Sequence, residues 1–271
     1  IPTNLIKNLS FSNEFDYKNT NKTIDCLTLF SKKMLEYKVH KYRCVATEAC
    51  RQVVNAKFFI DEVKSKTGLS VDIISSDEEA KLCFKSCKKY LNKINKGVLF
   101  DIGGGSTEFS LFDVNKGYFL TKSIAYGVIN FSEKESLYGK KKILLELNRH
   151  FKLFQSKFIK DKDILYSLGS CSTISTLCAL SKNLRFFDKS RIEGSILDVA
   201  LIKKLIIKIR NFSVEEMLNN PCINERYPLL LNGIEILEQI LLTVPMNKII
   251  VSQGGLTGGI IEDLNLCNEE N

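Results

Sequence analysis

Apolar residues recur along this chain with two alternating periods. Ile24, Leu27, Met34 and Leu35 fall at helical spacing and predict a helix over 19–38. Tyr42–Ala46 reads as a short buried strand, and Asn55–Lys66 as a helix closed by Gly68. Val71–Ser75 predicts a strand, and Asp77–Asn92 a helix with an acidic first turn. The polar stretch Asn92–Gly97 then breaks the pattern. Beyond it come three strands: Val98–Ile102, Phe109–Val114 and Gly117–Ser123, the last two joined as a hairpin at Asn115-Lys116-Gly117. A helix over 139–158 precedes a strand, Ile164–Leu168, which feeds a helix from Thr173. Helices follow over 197–211, 213–219 and 229–242, then the strand Lys248–Ser252 and the helix Leu256–Leu264. Alternation of this kind makes an α/β protein whose sheets are covered by helices.

Length turns the break at Asn92–Gly97 into a domain boundary. At 271 residues the chain can build two cores, and we expect domains at 1–96 and 97–271. An apolar share of 44% and a charged share of 26% are those of an ordinary globular protein. No apolar run approaches the roughly 20 residues of a membrane span. The chain begins at Ile1 without a signal-like segment, so a cytoplasmic protein is expected, with its N-terminus incomplete. Nine cysteines are an odd number for a disulfide framework and are read as reduced, small core residues. Cys83 and Cys87 are four apart and can share a helix face, but there is no CxxC pair, and His40 and His150 stand alone. The net charge of +8 gathers in runs such as Lys85, Lys88, Lys89, Lys93, Lys96 and Lys140–Lys142. Such a surface suits a polyanion and equally suits a solvated lysine face. Nothing matches a specific nucleic-acid-binding module.

Three turns rich in glycine or small residues follow strands: Gly103–Thr107, Gly169–Thr173 and Gly254–Gly259. In the first, Gly103, Gly104 and Gly105 allow close approach of a ligand and permit positive φ. Successive N–H groups in such a turn form an anion-binding concavity. Ser106 and Thr107 add hydroxyl donors. Asp101 and Glu108 flank the turn, and two carboxylates beside a phosphate cradle suit Mg²⁺ or another divalent cation. There is no Gly-Lys-Ser/Thr, so this is not a Walker loop, and a strand follows where a dinucleotide fingerprint needs a helix. A tight glycine turn between two strands is the plainer alternative. In the second turn, Ser170, Ser172 and Thr173 are read first as helix caps. Glu78 and Glu79 open a helix, where the dipole alone favours acids.

The stretches Ala46-Thr47-Glu48-Ala49-Cys50-Arg51-Gln52, Ile73-Ile74-Ser75-Ser76-Asp77-Glu78-Glu79-Ala80-Lys81 and Val98 to Glu108 together resemble the Ppx/GppA phosphatase family. The likeness continues through Gly127, Gly169–Thr173, Asp188–Gly194, Pro221–Arg226 and Val251–Gly259. It implies a two-domain actin-like fold of the acetate/sugar kinase, Hsp70 and actin superfamily, with the site in the interdomain cleft. It implies a hydrolase that releases orthophosphate from inorganic polyphosphate or guanosine pentaphosphate. By the resemblance, Glu79 is the catalytic base, Asp101 and Glu108 lie at the metal, Gly103–Thr107 form the phosphate loop, and Arg51 holds the polyanion. A homodimer is implied as well. The sequence also departs from the family. An opening Asp-x-Gly-Ser-Asn-Ser loop is absent, and Ser172, Gln253, Thr257-Gly258 and Pro228 replace common family residues. Two alternatives arise from these departures: a member that binds polyphosphate or guanosine tetraphosphate without turnover, and a small-molecule kinase of the same superfamily.

Overall fold

The computed structural model describes residues 1, 3–92, 94–158 and 166–269. The first part of the chain carries α1 (Leu9–Ser12), α2 (Tyr17–Glu36), β1 (Cys44–Ala46), α3 (Glu48–Gln52), α4 (Ala56–Thr67), β2 (Val71–Ile73) and α5 (Ser76–Ser86). Next come β3 (Lys96–Ile102), β4 (Thr107–Asp113), β5 (Tyr118–Ile124), α6 (Asn130–Tyr138), α7 (Lys140–Phe158) and β6 (Tyr166–Gly169). The chain continues with α8 (Ser172–Ser181), α9 (Lys189–Ile192), β7 (Ile196–Asp198), α10 (Val199–Arg210), α11 (Val214–Asn219), α12 (Tyr227–Thr243), β8 (Lys248–Val251) and α13 (Gly255–Glu269). The α/β alternation read from the sequence is present.

Two sheets organise these elements. β1 and β2 form a parallel pair, and the larger sheet runs β5-β4-β3-β6-β8-β7. In the larger sheet β3, β6 and β8 are parallel, and β4, β5 and β7 are antiparallel to their neighbours. Strands covered on both faces read as continuous apolar runs, as Val98–Phe100 of β3 does, whereas β4 is buried along its whole length although Thr107, Glu108, Ser110 and Asp113 interrupt its apolar residues. Val98, Phe100, Ile102, Phe109 and Leu111 face one side. They pack with Ile143, Leu147, Phe151 and Phe154 of α7 and with residues of α8, α10 and α12. Leu99, Phe112, Leu168 and Ile250 face the other side, against Cys83, Cys87, Tyr90 and Ile94. α5 therefore lies on the larger sheet, although it precedes the polar break at 92–97. A separate core of Ile6, Phe15, Ile24, Phe59 and Val63 ties the first helices together.

Several elements differ from the sequence reading. The helix expected over Asp77–Asn92 ends at Ser86, and a 3-10 turn over Lys88–Tyr90 follows. Cys87, Tyr90 and Ile94 are thereby all seated on the sheet. α6 occupies a stretch for which the pattern predicts no element, and Gly139, at φ 82°, separates it from α7. β7 falls across the start of the helix predicted over 197–211. Its three residues are an edge strand paired to β8, and so short a run carries no period of its own. Gly68 closes α4 at φ 73°, as expected. Ile164 and Leu165, the start of one predicted strand, and Lys93 of the lysine run lie outside the described residues. Cys26, Cys44, Cys50, Cys83, Cys87, Cys171, Cys178 and Cys222 are free thiols. Among the described residues no helix is long and apolar enough to cross a membrane.

α13 packs along α5 at unusually close range. A Cβ placed on Gly259 would stand 1.9 Å from the Leu82 carbonyl oxygen, and one on Gly254 2.7 Å from Ser86 Cβ. Lys85 and Asp263 form an ion pair across the same contact. The Thr257-Gly258 departure lies here, with the Gly258 position 3.1 Å from Ser86 Cβ.

Candidate functional site

Strand register decides which side chains can meet. Successive residues of a strand point to opposite faces. Asp101 therefore shares the α5 face with Leu99, while Ile102 points away. Asp101 pairs with Glu108, and Glu108 with Ser123, so all three stand on that face. Two carboxylates directly opposite on antiparallel strands repel one another. Neither has a basic partner among the described residues. The Cys83 thiol donates to Asp101 Oδ2 at 3.3 Å, and the Ser123 hydroxyl donates to Glu108 Oε1 at 2.8 Å. Burial pushes the Asp101 carboxyl up to about 7, the Cys83 hydrogen bond opposes this, and the charge of Glu79 adds to it. Glu108 is raised by burial first, then by Glu79 and Asp101.

α5 supplies the third acid. Ser75 caps it by accepting from the Glu78 N–H at 3.1 Å. Glu79 and Cys83 are one turn apart and share a face, so the side chain one turn below Cys83 is directed at the same acids. Arg51 of α3 bonds Glu79 Oε2 through both terminal nitrogens, at 3.1 and 3.0 Å. It also donates to Glu48 Oε2 at 2.8 Å and to the Ile74 carbonyl at 2.8 Å. The side chains of Arg51, Glu48 and Glu79 are 19%, 15% and 13% exposed. Burial raises the Glu79 carboxyl and the Arg51 guanidinium opposes it. Glu78 turns elsewhere, to Arg43. The helix-dipole reading thus covers Glu78, whereas Glu79 is bound into the cluster.

The turn after β3 is held from behind. The Gly103 N–H closes it onto the Ser106 carbonyl at 2.9 Å. The carbonyls of Gly103, Gly104 and Gly105 accept from Val128 N, Ile129 N and Asn130 Nδ2, at 2.9, 2.9 and 2.8 Å. In a trans peptide the carbonyl and the following N–H point in opposite directions. The N–H groups of Gly104, Gly105 and Ser106 therefore face away from 127–130, and they make no hydrogen bond among the described residues. Three free donors in succession are the arrangement from which an anion nest can be built. Thr107 is committed elsewhere, since its hydroxyl donates to the Tyr126 carbonyl at 2.7 Å.

Positive φ is not the reason for these glycines. Gly103, Gly104 and Gly105 all lie outside the left-handed region. What they permit is close approach: a Cβ on Gly105 would fall 1.8 Å from Ile6 Cδ1. Part of the space above the turn is thus filled by the segment before α1, which Glu133 of α6 holds through the Asn8 and Ser10 N–H groups. Gly127 is tighter still, its Cβ position 2.4 Å from the Gly104 carbonyl carbon and 2.5 Å from Gly105 N. Gly127→Ala is expected to push the turn off its backbone contacts and to destabilise the fold by about 1–3 kcal/mol. A thermal melt measures it, and an unchanged midpoint would show that the turn tolerates the shift.

The capping reading of the second turn does not hold. The N-cap of α8 is Cys171, whose side chain makes no cap hydrogen bond. The hydroxyls of Ser170 and Thr173 are buried without a hydrogen-bond partner. Glu48 lies within a family-like stretch that assigns it no role of its own. Its spacing of three from Arg51 on a helix is the signal that identifies it.

A divalent cation fits the donor set of Asp101 and Glu108, two facing carboxylates without a cationic partner. Among the described residues no group of three or more His, Cys, Asp or Glu converges as a metal cage. Mg²⁺ uses one or two protein carboxylates and completes its shell with water and phosphate oxygens.

A model of the Ppx/GppA phosphatase family matches residues 3–267. The bifunctional 3-dehydroquinate synthase/phosphatase of Fusobacterium nucleatum is 30% identical over 254 residues, covering 89% of this chain and 38% of that protein. The guanosine-5'-triphosphate,3'-diphosphate pyrophosphatase of Photobacterium profundum is 29% identical over 130 residues, covering 48% of this chain and 26% of that protein. The chain thus spans well under two thirds of the length of either relative. The crystal structure of the Aquifex aeolicus member of the Ppx/GppA family superposes with a TM-score of 0.79 at 25% identity, over 98% of this chain and 87% of that one.

Proposed function

The chain belongs to the Ppx/GppA phosphatase family, and from that premise we propose that it hydrolyses terminal phosphoanhydride bonds, releasing orthophosphate from inorganic polyphosphate or guanosine pentaphosphate. One observation carries the reading: Asp101 and Glu108 face each other on paired strands, with Glu79 one helical turn from the Cys83 that bonds Asp101, beside a turn with three uncommitted N–H donors. The similarity to the Aquifex aeolicus structure supports an actin-like pair of domains with substrate in the cleft between them, and because α5 packs on the larger sheet the boundary expected at 96–97 does not separate the two cores cleanly.

In this mechanism the N–H groups of Gly104, Gly105 and Ser106 receive the oxygens of the terminal phosphate. Glu79 takes a proton from water as the water oxygen attacks the terminal phosphorus. The bridging P–O bond breaks, and the shortened chain leaves with the bridging electron pair. Arg51 fixes the direction of the Glu79 carboxylate through its paired N–H groups. Glu48 anchors Arg51 and keeps it from swinging into the substrate path. A Mg²⁺ ion held by Asp101 and Glu108 would neutralise charge on the substrate oxygens. Catalysis of this kind is mostly positioning and charge stabilisation.

Chelation of divalent metal is expected to abolish phosphate release, and added Mg²⁺ to restore it. Mg²⁺ should also raise the melting temperature of the protein alone, by relieving the repulsion of Asp101 and Glu108. Asp101→Asn should remove that rise. Full phosphate release from polyphosphate and guanosine pentaphosphate in excess chelator would contradict the metal assignment, and no release with any divalent ion would contradict the hydrolase.

A further inference from the structure

Cys83 touches the acids of the site, and the proposed hydrolysis gives it no part. It is 1% exposed and belongs to the core of Cys87, Tyr90, Leu99 and Phe112. A buried cysteine commonly serves as a small apolar residue. A thiol is also a donor, although a weak one, and that of Cys83 is committed to Asp101 Oδ2 at 3.3 Å. Other thiols of the chain find neutral partners. Cys87 meets the Ser86 hydroxyl at 3.8 Å, and Cys222 donates to the Leu184 carbonyl at 3.4 Å. Neither reaches a carboxylate.

The contact divides the two oxygens of Asp101. Oδ2 is taken by Cys83, and Oδ1 makes no hydrogen bond among the described residues. Glu108 across the strand pair is fixed in a similar manner, with the Ser123 hydroxyl on Oε1 at 2.8 Å. The terminal torsion of an aspartate is soft and has no sharp staggered wells. Without Cys83, therefore, no side chain among the described residues holds the plane of the Asp101 carboxylate. Mg²⁺ demands near-ideal octahedral geometry, so the plane of a ligating carboxylate matters to it. Groups that hydrogen-bond such a ligand tune the affinity of the site.

We propose that Cys83 is a positioning residue for the divalent cation: its thiol occupies Asp101 Oδ2 and sets the carboxylate plane, so that Oδ1 meets the metal. The proposal rests on the reading of Asp101 and Glu108 as the metal carboxylates. Cys83 follows Glu79 by one turn of α5. One helix then sets both the base and the orientation of a metal carboxylate.

The test separates packing from positioning. Cys83→Ala and Cys87→Ala each leave a small cavity in the same core, and both should melt somewhat below the parent protein. Binding of Mn²⁺ to the protein alone, read by electron paramagnetic resonance of the free ion, should weaken about tenfold in Cys83→Ala. It should stay at the parent value in Cys87→Ala. Cys83→Ser, which keeps a donor at the position, should recover most of the lost affinity. Parent-like Mn²⁺ affinity in Cys83→Ala overturns the proposal. Equal weakening in Cys87→Ala overturns it as well, because packing alone would then account for the loss, and so does a Cys83→Ser protein as weak as Cys83→Ala. A parent protein that takes up no Mn²⁺ removes the metal assignment and this proposal together. A parent protein that binds Mn²⁺ with this dependence on Cys83, yet releases no phosphate, would contradict the hydrolase and leave the role of Cys83 standing.

Discussion

Glu79→Gln is expected to lower phosphate release by about a thousandfold, within the range of 10²–10⁴ typical for loss of a general base. The amide keeps an oxygen for Arg51 to bond, so the geometry set by the guanidinium at 3.0 Å survives. What disappears is the capacity to take a proton. The same change removes one of three mutually repelling acids, because Glu79 raises both Asp101 and Glu108. The variant should therefore melt no lower than the parent protein. This pairing of lost activity with kept stability distinguishes a base from a structural acid. Retention of more than a tenth of the parent rate would remove Glu79 from the mechanism.

Gly259→Ala is expected to lower stability. The new methyl would meet the Leu82 carbonyl oxygen at 1.9 Å, its carbon at 2.4 Å and its Cα at 2.8 Å. These are backbone atoms of a helix and cannot swing aside. Overpacking costs about 1–3 kcal/mol and sometimes more, while Ala in place of Gly within a helix returns about 1 kcal/mol. A net loss of up to about 2 kcal/mol lowers the melting temperature by up to roughly 4–8 °C in a chain of this size. Because α5 carries Glu79 at its first turn, phosphate release should fall together with stability. Gly117→Ala gives the contrast: a methyl there meets nothing within 4 Å, and only the strain of φ 59° is felt. A Gly259→Ala protein with an unchanged melting temperature would mean that α13 slides along α5 without cost.

Much of the site is legible in the sequence because its signals are local. The buried run Val98–Ile102, the glycines after it and the acids on either side lie within one short stretch of chain. Period-two alternation then predicts that Asp101 and Glu108 share a face once they are known to pair. The third acid cannot be reached in that way. Glu79 has the signature of any acid in a first helical turn, and Glu78 beside it satisfies that signature completely. Only tertiary packing, which lays α5 on the sheet and directs Arg51 at one of the two, separates them. The resemblance to known relatives stands in for that missing information. The second turn misleads for a related reason. Serine and threonine at a helix start are so often caps that the pattern hides an uncapped helix, and burial alone reveals the idle hydroxyl of Ser170. In the fold, long periodic segments such as α2 and α12 are evident. The three-residue strand β7 and the helix α6 depend on neighbours distant in sequence.

The clasp of α5 by α13 also bears on how the protein is made. Lys85 and Asp263, which close that clasp, are 178 positions apart. A ribosome adds about 5–20 residues per second, so α5 leaves it roughly ten to thirty seconds before its partner exists. Until then Leu82 and Ser86 lack the helix that covers them, and the turn carrying Glu79 is unsupported on that side. The nascent chain can complete β3, the glycine turn and β4 early, because those contacts are short in sequence, whereas closing so long a loop comes late. An arrested chain ending before residue 255 would therefore expose the glycine turn with Glu79 not yet fixed beside it. Under the proposed function, phosphate release would wait for α13.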